Sequence, residues 1–217
     1  MQLPSLREVA SMAGRAIERF PLAIIAAYSL TILAIIANHR MDSQEVLMPY
    51  IFTLLFAFPL SVATDLFMES HKAKAPGRFF GRFLVVLASV GVYFLCFKNW
   101  VDWSDSKYLE VILIDVALWV LILFAPFMMK NRVNAFWQFN VALFVRMVQA
   151  VLLFGLFYWG LLALMASVEY LFDYGLLMQY SWDVWLVVSG IFVSLFFLSG
   201  VPGNFQALDK TTNYPKL

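Results

Sequence analysis

Charge is scarce in this chain, and recognisable catalytic chemistry is scarcer. Only 13% of its 217 residues are Asp, Glu, Lys or Arg, about half the share of an ordinary soluble domain. The single cysteine, Cys96, excludes an intramolecular disulfide and reads as a small apolar residue inside a hydrophobic stretch. There is no phosphate-cradling glycine loop, no zinc-spaced histidine pair, no Gly-x-Ser-x-Gly elbow and no Asn-x-Ser/Thr sequon. Fifteen cations against fourteen anions leave a net charge of +1, so nothing in the charge balance points to nucleic acid. No cofactor or metal is expected, and an enzyme has no residue-level support.

What the chain has instead is apolar length. It is 63% hydrophobic and 18% aromatic, with 22 Phe and 7 Trp and a mean hydropathy of +0.80. Six apolar stretches cover residues 20–38, 46–67, 79–97, 111–129, 147–165 and 182–198. Each has the length an α-helix needs to cross about 30 Å of hydrocarbon. The first is too long for a signal-peptide core and has no small-residue cleavage site after it, so it reads as a retained span.

Twelve of the fifteen cations fall in alternate segments between these stretches. Arg7, Arg15 and Arg19 precede the first. Lys72, Lys74, Arg78 and Arg82 join the second to the third. Lys130, Arg132 and Arg146 join the fourth to the fifth, and Lys210 and Lys216 lie in the tail. The positive-inside rule then predicts that both termini are cytoplasmic. On that topology the two histidines, His39 and His71, lie on opposite sides of the membrane and cannot share a metal.

Before the first span, Leu6, Val9, Ala10, Ala13, Ala16, Ile17 and Phe20 recur at three- and four-residue spacing, with arginines and glutamates between them. This predicts an interfacial amphipathic helix over residues 1–19. Pro21 suits the first turn of the next helix, whereas Pro59 should bend the second span. Residues 69–77 read as a polar turn ended by Pro76-Gly77. Trp100, Trp103 and Tyr108 read as an interfacial belt. The fifth helical pattern runs from Ala135 through Phe172, nearly twice the hydrocarbon thickness, which predicts a cytoplasmic first part (135–146) leading into the span, with bends at Gly155 and Gly160. No repeat relates the first three spans to the last three.

The residues that sit in lipid at a cost are few. Asp115 lies four or five residues inside the fourth span, where a carboxylate costs a few kcal/mol unless it is protonated, paired or facing water. Two readings follow: a neutral carboxyl that locks helix packing, or a proton- or cation-linked site. Gln138, Arg146 and Gln149 share one side of the fifth helix, a stripe expected to face other helices. Arg146 could pair with Asp65 at the same end of span two, and Arg82 competes for that partner. Such contacts would fix helix register or form an inner gate. Glu169, Asp173 and Asp183 make a cation-free acidic rim on the outer side.

Several segments carry a family resemblance: Arg19-Phe20-Pro21-Leu22, Phe58-Pro59-Leu60-Ser61, Phe136-Trp137-Gln138-Phe139-Asn140, Phe157-Tyr158-Trp159-Gly160 and Leu198-Ser199-Gly200-Val201-Pro202. Through them the chain resembles the bacterial multi-pass family called domain of unknown function 4153. The resemblance implies a protein of the bacterial cytoplasmic membrane with no established activity and no catalytic residues to carry over. It also implies that residues 199–217 are a cytoplasmic tail leading into a truncated continuation with further spans.

The expected fold is therefore all-α: a six-helix transmembrane bundle over 20–198, preceded by an interfacial helix. The expected partners are the lipid bilayer and further helices, from a longer chain or a homo-oligomer. A non-enzymatic scaffold, sensor or envelope module leads the functional readings, and a transporter or channel subunit using Asp115 is the alternative.

Overall fold

In the computed structural model, residues 6–40, 42, 44–99, 101, 104–128, 133–172, 178–205 and 208 are described, and among them every regular element is helical. Helix α1 (Leu6–Arg19) ends one residue before α2 (Pro21–His39). The corner between them is Phe20, at φ −125° and ψ 54°, fully buried, with Pro21 opening the new helix. Proline has no N–H to leave unsatisfied there, and its fixed φ suits a first helical turn.

Helix α3 (Gln44–Ser70) runs unbroken through Pro49 and Pro59. It stops where Lys72 adopts a left-handed φ of 52°, and the Ala73 N–H returns to the Met68 carbonyl at 2.9 Å. Helix α4 (Ala75–Val92) follows at once. The predicted turn over 69–77 is therefore shorter: Pro76 and Gly77 lie in the first turn of α4, because proline starts a helix as readily as it breaks one.

The third long apolar segment closes with a π-helical turn, Tyr93–Phe97, in which the Lys98 N–H reaches back five residues to the Tyr93 carbonyl at 2.8 Å. That wider turn accompanies a buried Phe97, packed against the rings of Phe52 and Phe56. Helix α5 (Asp105–Phe124) starts six residues before its apolar stretch and ends in a 3₁₀ turn, Ala125–Phe127. Helix α6 (Val133–Phe172) is one 40-residue element that includes Gly155 and Gly160 without interruption. The last segment comprises α7 (Ser181–Val187), a π-helical stretch (Val188–Val193) and α8 (Ser194–Ser199). The six expected stretches thus match six helical segments long and apolar enough to cross a membrane.

Helix α3 is central, packed on α2, α4 and α5, while α2 also meets the last segment and α6 lies against that segment. Most buried side chains gather at one end. Ala16, Phe20, Val62, Leu66, Ile122, Phe139, Leu198 and Phe205 belong to a single apolar cluster there, in which Phe127, Phe139 and Phe205 pack ring to ring. The first turns of α6 contribute Ala135, Phe139 and Leu143 to the buried set, so this part of the long helix packs within the protein. By contrast, α4, α5 and the second half of α6 expose rows of large apolar residues such as Phe79, Leu87, Leu113 and Leu156. Trp100, Trp103, Asp173 and the tail 209–217 lie outside the described residues; Tyr108 is exposed at the start of α5.

Thr31, buried in α2, meets the last segment at Gly190, within its π-helical stretch, and an added Cβ at Gly190 would overlap the Thr31 hydroxyl. Gly155, on α6, faces open space. Gly190→Ala should therefore destabilise the purified protein by about 1–3 kcal/mol through overpacking. Gly155→Ala should be neutral or stabilising by up to about 1 kcal/mol, since alanine is the better helix former. Thermal unfolding midpoints in one detergent compare the two directly.

Candidate functional site

Several charged side chains join helix ends. At the end holding the apolar cluster, Arg19 lies at the α1–α2 corner, beside Phe20. Its guanidinium meets the Glu69 carboxylate near the end of α3, with Nε donating at 2.8 Å and Nη2 lying 2.7 Å from the same oxygen. It also donates to the carbonyls of Val201 (through Nη1) and Pro202 (through Nη2, 2.8 Å), just past α8. One side chain therefore ties together the α1–α2 corner, α3 and the segment after α8. Those carbonyls lie past the last turn of α8 and have no helical N–H to accept from, so an outside donor serves them.

Arg82, two turns into α4, donates from Nε to Oδ1 of Asp65 at 2.9 Å and from Nη2 to the Arg19 carbonyl at 3.3 Å. The Asp65 side chain is 5% exposed, so this is a nearly buried ion pair. Its second oxygen, Oδ2, has no hydrogen-bond partner among the described residues. Between the two cations weighed for Asp65, the structure pairs it with Arg82.

Arg146 goes elsewhere. Nε and Nη2 donate to the Phe196 carbonyl at 3.2 and 2.6 Å, Nη2 also donates to Ser199 Oγ at 3.0 Å, and the guanidinium lies 3.6 Å from the Phe196 ring centroid. Among the described residues it makes no ion pair with a carboxylate. It caps the end of α8, where unpaired carbonyls carry the negative end of the helix dipole. Gly200 makes room, since a Cβ there would overlap the guanidinium.

The other residues of the expected stripe behave differently from one another. Gln149 is exposed and only accepts a long bond of 3.4 Å from Arg146, so it does not face another helix as expected. The physical reason is that this stretch of α6 packs on the last segment, and Met147 and Val148 beside Gln149 are exposed too. Gln138 has its Nε2 buried without a partner among the described residues; Asn140, outside that stripe, donates to the Phe136 carbonyl one turn back at 2.9 Å.

Asp115 lies partly exposed on α5, between the exposed Ile112 and Val116. Its Oδ1 has no partner among the described residues. Asp115 is not part of the arginine network.

At the opposite end of the bundle, Asp183 at the start of α7 accepts from Asn38 Nδ2 at 3.1 Å and lies 2.6 Å from His39 Nε2. The rings of His39 and Tyr180 lie 5.7 Å apart. Asp183 is thus a clasp between α2 and the last segment. His71 lies at the other end of the molecule, beside Phe67 and Ser70, and no metal-sized group of His, Cys, Asp and Glu occurs among the described residues.

Among the contacts that sequence reading missed are Arg19–Glu69 and the bond from the Ser70 hydroxyl to the Pro126 carbonyl. The first had a usable signal: Glu69 ends an apolar helix on the same side as Arg19. The second had none, because a carbonyl acceptor leaves no mark on residue type. Comparison with protein-family models, with curated proteins and with solved structures found no match to this chain.

Arg82→Ala should strand the Asp65 carboxylate and cost about 3–5 kcal/mol. The double replacement Asp65→Leu with Arg82→Leu, which removes both charges, should recover most of that loss. A double-mutant cycle on chemical or thermal unfolding in detergent measures both values; equal losses in the two variants would assign the effect to packing.

Proposed function

We propose that this chain is a non-enzymatic integral membrane module with both termini cytosolic, the embedded part of a scaffold, sensor or envelope protein. The observation that carries the reading is the use made of the arginines. Arg19, Arg82 and Arg146 are each engaged with carbonyls or carboxylates of a neighbouring helix, which makes them fasteners of a fixed bundle. A module of this kind needs a rigid membrane-boundary layer to transmit or resist force, and the shared apolar cluster supplies one. The exposed apolar surfaces of α4, α5 and α6 suit lipid as solvent. Assignment to the bacterial cytoplasmic membrane rests on the family resemblance alone.

Support for the orientation comes from the grouping of Arg19, Lys72, Lys74, Arg78 and Arg82 with the end of α3 and the start of α4, one end of the bundle. Reporter fusions should read cytosolic after Lys74 and exported after Asp42. The reverse pattern would overturn the topology.

The second reading, transport with Asp115 as a proton- or cation-linked group, is favoured by one observation: the partnerless Oδ1 of that carboxyl. Proteoliposomes decide between the two. The leading reading expects no pH-driven flux above that of empty vesicles. Flux that Asp115→Asn abolishes while the fold is preserved would establish transport instead.

A further inference from the structure

A groove of about 500 Å³ lies between α2, α3 and α4, within the size range of small-ligand sites. Small residues make room for it, with Ala26 and Ser61 buried at its base and Ala57 and Ser89 beside them. Larger exposed residues such as Ile25, Val86 and Phe94 border it. Its hydroxyls are turned inward, for Thr53, Ser61 and Ser89 donate to the carbonyls of Pro49, Phe58 and Val85 on their own helices. What remains is an apolar wall. From Tyr50 to Ser61 the wall follows α3 for about 16 Å, and the stacked rings of Tyr50 and Tyr93 close one end.

The other end leads to cations. Along α4, Arg78, Arg82, Val85, Ser89 and Tyr93 recur at three- and four-residue intervals, the spacing of one helix face. The last three line the groove. Arg82 is held by Asp65, but the guanidinium of the exposed Arg78 makes no hydrogen bond or ion pair among the described residues. A long apolar slot with an exposed guanidinium two helical turns beyond it on the same face of α4 is complementary to a molecule with a long hydrocarbon tail and an anionic head.

We propose that this groove is a specific site for an anionic phospholipid, with one acyl chain along α3 and α4 between the tyrosine pair and Ser61, and the phosphate at Arg78. The proposal rests on the membrane reading above. Basic groups beside spanning helices recognise anionic headgroups in this way, and each cation near the surface is worth about a fivefold preference. The bound chain fills a gap that α2, α3 and α4 leave between them.

The test uses the full chain purified in mild detergent. Native mass spectrometry counts retained lipid when phosphatidylglycerol and phosphatidylcholine of identical chains compete. The wild type should retain phosphatidylglycerol preferentially, Arg78→Gln should lower that preference about fivefold, and Ser89→Phe should displace both lipids. A photoreactive residue at the exposed Val86 position, which leaves the groove open, should cross-link to the acyl chain even if Ser89→Phe fails to fold. Equal retention of the two lipids by wild type and Arg78→Gln, or cross-linking of Val86 to a second copy of the chain, would overturn the site. Recovery of the chain as a soluble monomer without detergent would instead overturn the membrane reading beneath it.

Discussion

A guanidinium at the end of an apolar helix has to find acceptors, and in this chain three of them find the ends of other helices. That requirement organises the structure. Arg19 cannot satisfy its donors without Glu69 and the carbonyls beyond α8, so the α1–α2 corner, the end of α3 and the end of the last segment converge. Arg82 then reads the corner a second time through the Arg19 carbonyl. Buried Phe20 fills the space these bonds enclose. Polar contacts set the positions, and the apolar cluster around them supplies the area removed from water or lipid headgroups.

The network also explains why the bundle is uneven. Side chains at the arginine end interlock, whereas farther along α4, α5 and α6 large apolar residues face outward. Between spanning helices there is little hydrophobic gain from packing Leu on Leu if lipid tails offer the same surroundings. Contacts there depend on close approach, as where Thr31 meets Gly190, or on a polar clasp such as Asn38 and His39 with Asp183. Where neither is present, the helices separate enough to leave the groove beside Ser89.

The six long apolar helical segments were legible because apolar runs of this length have few other meanings. Asp65 was legible as a costly residue, but its choice between Arg82 and Arg146 was not. Arg82 follows Asp65 by only 17 residues, across the tight α3–α4 hairpin, while Arg146 is on a helix whose neighbour is the last segment, and that neighbour relation has no imprint in composition. The carbonyl partners of Arg19, Arg146 and Ser70 were invisible for a simpler reason: every residue has a carbonyl. The two π-helical stretches likewise follow from packing, not from a residue signature. Pro76 misled because the same ring that ends one helix opens another.

Helix α6 is the longest element, and its anchorage is lopsided. Arg146 and the buried residues Ala135, Phe139 and Leu143 grip its first third, while the stretch beyond carries only the last segment along one flank. Geometrically it is a cantilever. From Arg146 to Phe172 the arm held on that one flank is about 39 Å, so a tilt of about 5° at the root sweeps its tip through about 3 Å. Small adjustments among the arginines on one side of the protein would thereby arrive, amplified, at the far side.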